Sequence, residues 1–173
     1  MDIFNEQIVN KKKSLADIAL VAFIFLASLA VAILLLFFVI SIAPQFIMTA
    51  IVLDGVIFYL AFKVARFVNI EFEYSVTNNL FDVDKIIARS SRKRLASLDI
   101  KKIDDIGVYS TEKLQGKTFD IKINAAGDPA ANSLVYVVAR HPSKGKMLII
   151  FEPNEKIVSA LKKSLPYAIK NNI

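Results

Sequence analysis

Four basic side chains, Arg89, Arg92, Lys93 and Arg94, fall within six positions of the stretch "IIARSSRKRLASLDI". Guanidinium and ammonium groups at that density recognise phosphate or carboxylate oxygens. Their counterpart is a membrane headgroup, another polyanion, or plain water. No aromatic residue flanks them for base stacking, so nucleic acid is not expected as a partner. Other groups with chemical potential are sparse. Asp104 and Asp105 are adjacent on a strand-like run and point to opposite faces, so with Asp99 they do not converge on an ion. His141 sits in "RHPSKGK" with no acidic neighbour, and "SKGK" lacks the leading glycine and the length of a phosphate-binding loop. "GDP" at 127–129 reads as a turn. Ser90, Ser91 and Ser97 lie beside the basic residues, where a phosphate would cancel their charge. There is no cysteine, which excludes disulfides and thiolate metal sites. These residues predict neither an enzyme nor a cofactor or metal site.

The elements that position these residues begin with an apolar half. The chain has 173 residues, 55% of them apolar, and a mean hydropathy of +0.49. That is too high for a soluble domain of this length and places part of the chain in lipid. Residues 18–40, "IALVAFIFLASLAVAILLLFFVI", contain one polar residue, Ser28. As a helix the run reaches about 34 Å, enough to cross a bilayer core. "SIAPQ" follows, then a second apolar run, "FIMTAIVLDGVIFYLAF", at 46–62. Lys63 and Arg66 can snorkel and lengthen it. The spacing predicts a transmembrane helical hairpin over 17–68, with spans near 17–40 and 46–66. A cleaved signal peptide fits less well, because the first run is too long and a second follows at once.

Flanking charge sets the orientation. Lys11, Lys12 and Lys13 precede the first span, Lys63 and Arg66 end the second, and the turn between them is uncharged. The positive-inside rule places both termini in the cytoplasm and the protein in the cell (inner) membrane. Asp54, eight positions into the second run, lies about 12 Å below the outer interface by helix rise. A charge there costs roughly 2.5–3.5 kcal/mol. Protonation or a wet edge is one explanation; contact with a partner in the membrane, which the adjacent Gly55 would let approach closely, is the other.

Residues 1–16 read as a cytoplasmic N-terminal segment and 69–173 as a cytoplasmic domain. "NIEFEYSV" alternates Ile70, Phe72, Tyr74 and Val76 against Glu71, Glu73 and Ser75, the period of a half-buried strand. "TNN" is a turn and "LFDVDKIIA" returns. "LASLDI", "KIDDIGVYS", "KTFDIKINA", "SLVYVVARH" and "KMLIIFE" complete about seven strands, with "PSKG" as a hairpin turn and "AAGDPAAN" as a loop. "PNEKIVSALKKSL" is an amphipathic helix with Asn154 as N-cap and Ile157, Val158, Leu161 and Leu165 as its apolar stripe. The fold class is α+β: a transmembrane helical hairpin, then an antiparallel barrel or sandwich capped by a C-terminal helix.

The run "YSVTNNLFDVDKIIARSSRKRLASLDIKKIDDIGVYS" resembles the bacterial PH-like (pleckstrin-homology-like) domain family. Tyr74, Val76, Thr77, Leu80, the basic Arg92–Arg94 turn, Ile103 and Ile106 carry the likeness over about 40 residues, and the element order carries it further. The glycine expected after the second strand is replaced by "ARSS", which leaves the turn type open. Two spans before such a domain also resemble small bacterial membrane proteins of this layout. The resemblance implies membrane-associated binding or scaffolding and supplies no catalytic residues. It also implies a lipid pocket with a long loop between the first two strands. With "TNN" as that loop, phosphoinositide specificity is not expected.

The expected function is a scaffold or binding module on the cytoplasmic face of the membrane. Its partners would be the bilayer, anionic headgroups reached through Arg89, Arg92, Lys93 and Arg94, and a membrane or cytoplasmic protein or a second copy. Residues 69–173 carry 17 basic and 12 acidic side chains, a modest support for the headgroup contact. The alternative is an accessory subunit of a transport or envelope-synthesis complex, with the hairpin as its working part.

Overall fold

The computed structural model describes residues 4–141 and 145–173. It divides into two compact units. The first is the segment up to Lys12 together with Ile70–Ile173, and the second is Lys13–Asn69. The membrane unit is therefore an insertion into the other domain.

The inserted unit holds α1 (Leu15–Ile42), a 3-10 turn at Pro44–Phe46, and α2 (Ile47–Ala65), which runs on as a 3-10 turn over Arg66–Val68. Ser14 starts α1 with a capping box, accepting from the Asp17 amide while the Asp17 carboxylate accepts from the Ser14 amide. Both helices are long and apolar enough to cross a bilayer. Their large side chains point outward, while the buried positions are small or polar: Ser28 and Ala32 on α1, Ala50, Asp54 and Ala61 on α2. Small residues let two backbones approach, which is what holds helices together where lipid removes the hydrophobic drive.

In the other domain, β1 (Phe4–Asn10), β2 (Ile70–Thr77), β3 (Leu80–Ile87) and β4 (Ser91–Asp99) form one antiparallel sheet in that order. The second sheet has the order β5-β7-β8-β6, from β5 (Ile103–Val108), β6 (Ile121–Asn124), β7 (Val135–His141) and β8 (Gly145–Phe151). A one-turn helix α3 (Thr111–Leu114) precedes β6, and α4 (Glu155–Ser164) follows β8. Asn154 caps α4 by accepting from the Ile157 amide at 2.9 Å, and Ile157, Ala160, Leu161 and Leu165 join the core. Inner-face side chains of both sheets fill the space between them: Tyr74, Val76, Phe81 and Val83 from one, Ile106, Val137, Ile149 and Phe151 from the other. Phe151 packs edge-on against Tyr74 and tilted against Phe81, with ring centroids 5.4 and 5.0 Å apart.

Three features differ from the reading of the sequence. Among the described residues eight strands form rather than seven, because the N-terminal segment supplies β1. Its apolar Phe4 and Ile8 face outward while Asn5 and Gln7 face inward, so alternation alone does not reveal a half-buried strand. Gln7 is held by tertiary bonds, donating to the Glu152 carbonyl at 2.9 Å and accepting from the Asn154 amide at 2.7 Å. Next, β6 pairs parallel to β8, so the second sheet is mixed. Finally, the connection between the first two strands is the whole of residues 11–69 and not "TNN", which is the turn joining β2 to β3. The "PSKG" turn falls mostly outside the described residues.

Candidate functional site

The basic stretch is mostly strand. Ile87 pairs with Ser91, and the Ser90 amide donates to the Ile87 carbonyl at 3.1 Å. Between them Ala88 and Arg89 have φ of +53° and +55°. Two successive left-handed residues make a type I′ turn, normally written Asn-Gly. This is the turn that "ARSS" left open. A left-handed alanine is strained by about 1 kcal/mol, so Ala88→Gly is expected to raise domain stability by up to that amount. Thermal unfolding would read it as a Tm increase of a few degrees.

Beyond the turn, Arg92 and Arg94 alternate onto the outer face of the first sheet, where β2 and β3 present carboxylates. Register aligns Glu73 with Asp84 and Asp84 with Arg94, and Glu71 with Ile86 and Ile86 with Arg92. Arg89 bonds Glu71 at 2.8 Å. Arg92 bonds Glu73 and lies 3.9 Å from Asp84. Arg94 bonds Asp84 at 3.0 Å and approaches Asp82 at 3.4 Å. The guanidinium stems cover the acids, leaving Glu73 5% and Asp84 4% exposed. Burial pushes the Glu73 carboxyl above its ordinary value, against the lowering effect of Arg92; Glu6 and Asp84 add to the rise. Hydrogen bonding and the charge of Glu71 hold Arg89 more firmly protonated, and Asp84 and Asp82 do the same for Arg94. The negative groups these arginines face belong to their own sheet.

Lys93 points to the opposite face, where it pairs in register with Lys85. Neither lysine has an ion-pair partner among the described residues. Both lie near the end of the sheet that holds Asn10 and Ile70, from which the chain runs into and out of the inserted unit. Lys11 and Lys12 continue β1 at that end. The Lys11 amide donates to the Ile70 carbonyl, the Lys12 amide to the Gly127 carbonyl, and Lys12 Nζ binds Asp128 at 2.9 Å. Gly127 is needed here: a Cβ would strike Val9 Cγ1 and stand 2.8 Å from the Asn10 carbonyl oxygen.

In the inserted unit Asp54 is 9% exposed, and its Oδ1 is buried without a hydrogen-bond partner among the described residues. Ser28, also buried, donates to the Phe25 carbonyl at 2.8 Å. Gly55 faces open space, with nothing within 4 Å of where a Cβ would stand. The remaining aspartates are dispersed. Asp99 accepts from the Lys101 amide, Asp104 pairs with Arg140 at 3.6 Å, and Asp105 takes the Tyr136 hydroxyl at 3.0 Å and Lys117 at 3.6 Å. His141 ends β7 opposite Gly145.

Sequence reasoning missed the carboxylate partners of the arginines. The signal was present in the alternation Glu71, Glu73 and Asp82, Asp84, because the polar face of one strand meets that of the next. Tyr74, one of the residues carrying the family likeness, is fully buried. Its hydroxyl donates to the Ala125 carbonyl and accepts from the Glu152 amide, joining the first sheet to both flanks of β6 and β8.

Comparison with known proteins adds one finding. The family model described as Bacterial PH-like domain (DUF6106) matches residues 1–171. No curated protein and no solved structure matches the chain.

Proposed function

This chain belongs to the bacterial PH-like domain family, and from that premise we propose a binding module carried on the cytoplasmic face of the membrane by a two-pass hairpin inserted between its first two strands. The observation that carries the reading is the β1–β2 ladder. β1 precedes the hairpin, β2 follows it, and they pair from Phe4 with Thr77 to Asn10 with Glu71. A polypeptide cannot form that ladder across a bilayer, so both flanks belong on one side and the crossings must be even in number. Two apolar helices supply them. Removal of α1 as a signal peptide would also remove β1. Lys11, Lys12, Lys13, Lys63 and Arg66 make the shared side the cytoplasm.

The chain lacks native cysteine, so single cysteines at Asn5, Gln45 and Asn171 can be probed with a membrane-impermeant maleimide in intact cells. Gln45 alone should label, with Asn5 and Asn171 reacting after lysis. Labelling of Asn5 or Asn171 in intact cells would sink the topology.

Arg89, Arg92 and Arg94 share their charge with Glu71, Glu73, Asp82 and Asp84, so Lys93, with Lys85 beside it, carries most of the contact with anionic headgroups. Each lysine near such a surface contributes about 1 kcal/mol. Lys85→Ser with Lys93→Ser is expected to weaken salt-sensitive binding to phosphatidylserine vesicles roughly thirtyfold. The assay uses the domain with residues 13–69 replaced by a short turn. Unchanged binding would remove the lipid role from this face.

A second reading, accessory subunit of a membrane complex, is favoured by Asp54. A carboxyl oxygen buried in the helix pair without a hydrogen-bond partner among the described residues is costly, and a helix from another protein that opens this contact would supply one. A photo-crosslinker at Gly55, on the open face beside it, would capture that partner; crosslinks to lipid only would count against it.

A further inference from the structure

We propose that the free edge of β1 is a docking strand for an extended, acidic peptide from another protein, held between that edge and the lysines of α4. The inference deepens the binding-module reading and is independent of which way the hairpin crosses the membrane.

The edge is defined by the ladder. The Lys11 amide donates to the Ile70 carbonyl. With the β1–β2 register, Asn5, Gln7, Val9 and Lys11 therefore direct their backbone groups to β2. The intervening Phe4, Glu6, Ile8 and Asn10 direct N–H and C=O to the other side, where β1 has no neighbouring strand among the described residues. The Lys12 amide follows the same alternation and uses that side to bind the Gly127 carbonyl. The Gly127 loop thus closes the edge at Asn10 and leaves Phe4–Ile8 open, with no backbone partner for Phe4, Glu6 or Ile8 among the described residues.

An open edge is normally blunted by lysine, proline, a bulge or a covering element. "FNEQIVN" has none of these residues, no bulge interrupts its register, and it exposes Phe4 at 65% and Ile8 at 52%. Apolar side chains flanking free donors and acceptors are the features that strand addition uses: main-chain bonds supply affinity, and alternate side chains supply specificity.

Charge selects the occupant. A cavity of about 300 Å³ runs between Asn5 and α4, lined by Glu155, Lys156, Ser159, Ala160 and Lys163. Neither lysine is ion-paired among the described residues, and Lys162 adds a third positive charge on the same short helix. Alternate side chains of a strand on this edge would lie on the Asn5 side beside Lys156 and Lys163, which outnumber Glu155 there, and the others on the outer side beside Glu6. Carboxylates are therefore favoured at the first set of positions and apolar or neutral residues at the second. A second copy of β1 is a poorer occupant. Antiparallel pairing on this edge aligns Glu6 with Phe4, Glu6 or Ile8 of the other copy, none of which gains charge complementarity.

The test uses the full chain in nanodiscs against a displayed library of random nine-residue peptides, with Ile8→Pro as counter-selection. Proline at Ile8 removes an outward N–H and leaves the β2 ladder intact; unchanged thermal unfolding verifies the fold. The expected result is enrichment of peptides with Asp or Glu at alternate positions. Their binding should be lost in Ile8→Pro and weakened about tenfold in Lys156→Glu with Lys163→Glu. Hydrogen exchange at Glu6 and Ile8, fast in the free protein relative to Gln7 and Val9, should slow on binding. Three results would overturn the proposal: no enrichment over Ile8→Pro, enrichment of basic peptides, or slow exchange at Glu6 and Ile8 without peptide. Protection that rises with protein concentration would assign the edge to a second copy instead. None of these failures touches the cysteine-labelling result, so the topology stands or falls separately.

Discussion

A fragment beginning at Ile70 is expected not to hold the native domain, although it contains seven of the eight strands and the C-terminal helix. It lacks β1, and with it the ladder bonds of Asn5, Gln7, Val9 and Lys11 to β2. Each net bond contributes about 0.5–1.5 kcal/mol. The fragment also loses Val9 from the edge of the core and both side-chain bonds that Gln7 makes to the segment leading into α4. Phe72, Tyr74 and Val76 would then lie on an unprotected edge strand. The sum is roughly 5 kcal/mol or more, comparable with the whole stability of a domain this size. The informative control keeps Phe4–Lys12 and joins it to Ile70 through a short turn in place of residues 13–69. Thermal unfolding by circular dichroism should show one cooperative transition for the joined form and a broad or absent one for the fragment. Equal melting of the two would mean that β1 is an accessory strand. An even number of crossings would then no longer follow from the β1–β2 ladder.

Arg92→Ala is expected to destabilise the domain by about 1–3 kcal/mol, more than loss of an ordinary surface charge. The reason lies in the acid beneath it. Glu73 is buried, and Arg92 both bonds it and approaches Asp84. Removing the guanidinium leaves the carboxylate without its partner beside the like charge of Asp84, with only the water that the vacated arginine admits. The pH dependence has a definite sign. Burial already raises the Glu73 pKa, so the native state holds its proton more tightly than the unfolded chain. The stability this contributes is complete below the ordinary carboxylate value and is lost as pH rises through the raised one. Without Arg92 the value rises further, so the gap between variant and wild type should be widest at pH 7 and narrow toward pH 4. Chemical denaturation at both pH values measures it. Arg92→Met combined with Glu73→Leu should recover most of the loss, because no buried carboxylate is then left without a partner. A gap independent of pH would assign the effect to lost packing of the arginine stem. Replacing the whole basic stretch to test lipid binding would therefore unfold the sheet that presents it. Substitutions confined to Lys85 and Lys93 avoid that confusion.

Both results bear on the role of the basic stretch. A run of Arg and Lys attracts attention as a surface for an external anion, yet a sheet brings the polar faces of neighbouring strands within bonding distance of each other. The acids that satisfy Arg92 and Arg94 lie 8 to 19 positions upstream, a separation that linear reading does not connect. Lys93, one residue out of phase, falls on the other face and keeps its charge. A period of two thus sorts one basic cluster into structural arginines and a lysine with no ion-pair partner among the described residues.

Local signals were enough for much of this protein. Continuous apolar runs at 18–40 and 46–62 determined two membrane-length helices, because nothing except lipid accommodates so much exposed hydrocarbon. Alternation from Ile70 to Val76, the cap at Asn154 and the apolar stripe of α4 determined strands and helix through periodicity, which each residue shares with near neighbours. The likeness to PH-like domains lay in the same stretch. Tertiary structure alone decided the rest. β1 turns polar Asn5 and Gln7 inward with Val9 and leaves apolar Phe4 and Ile8 outward, and it became a strand only because Glu152, Asn154 and β2, far along the chain, bond it. That pairing turned a hairpin preceding a domain into a hairpin inserted within one. It also created the open edge from Phe4 to Ile8, since an edge is a property of which strands lack a neighbour and no residue encodes it by itself.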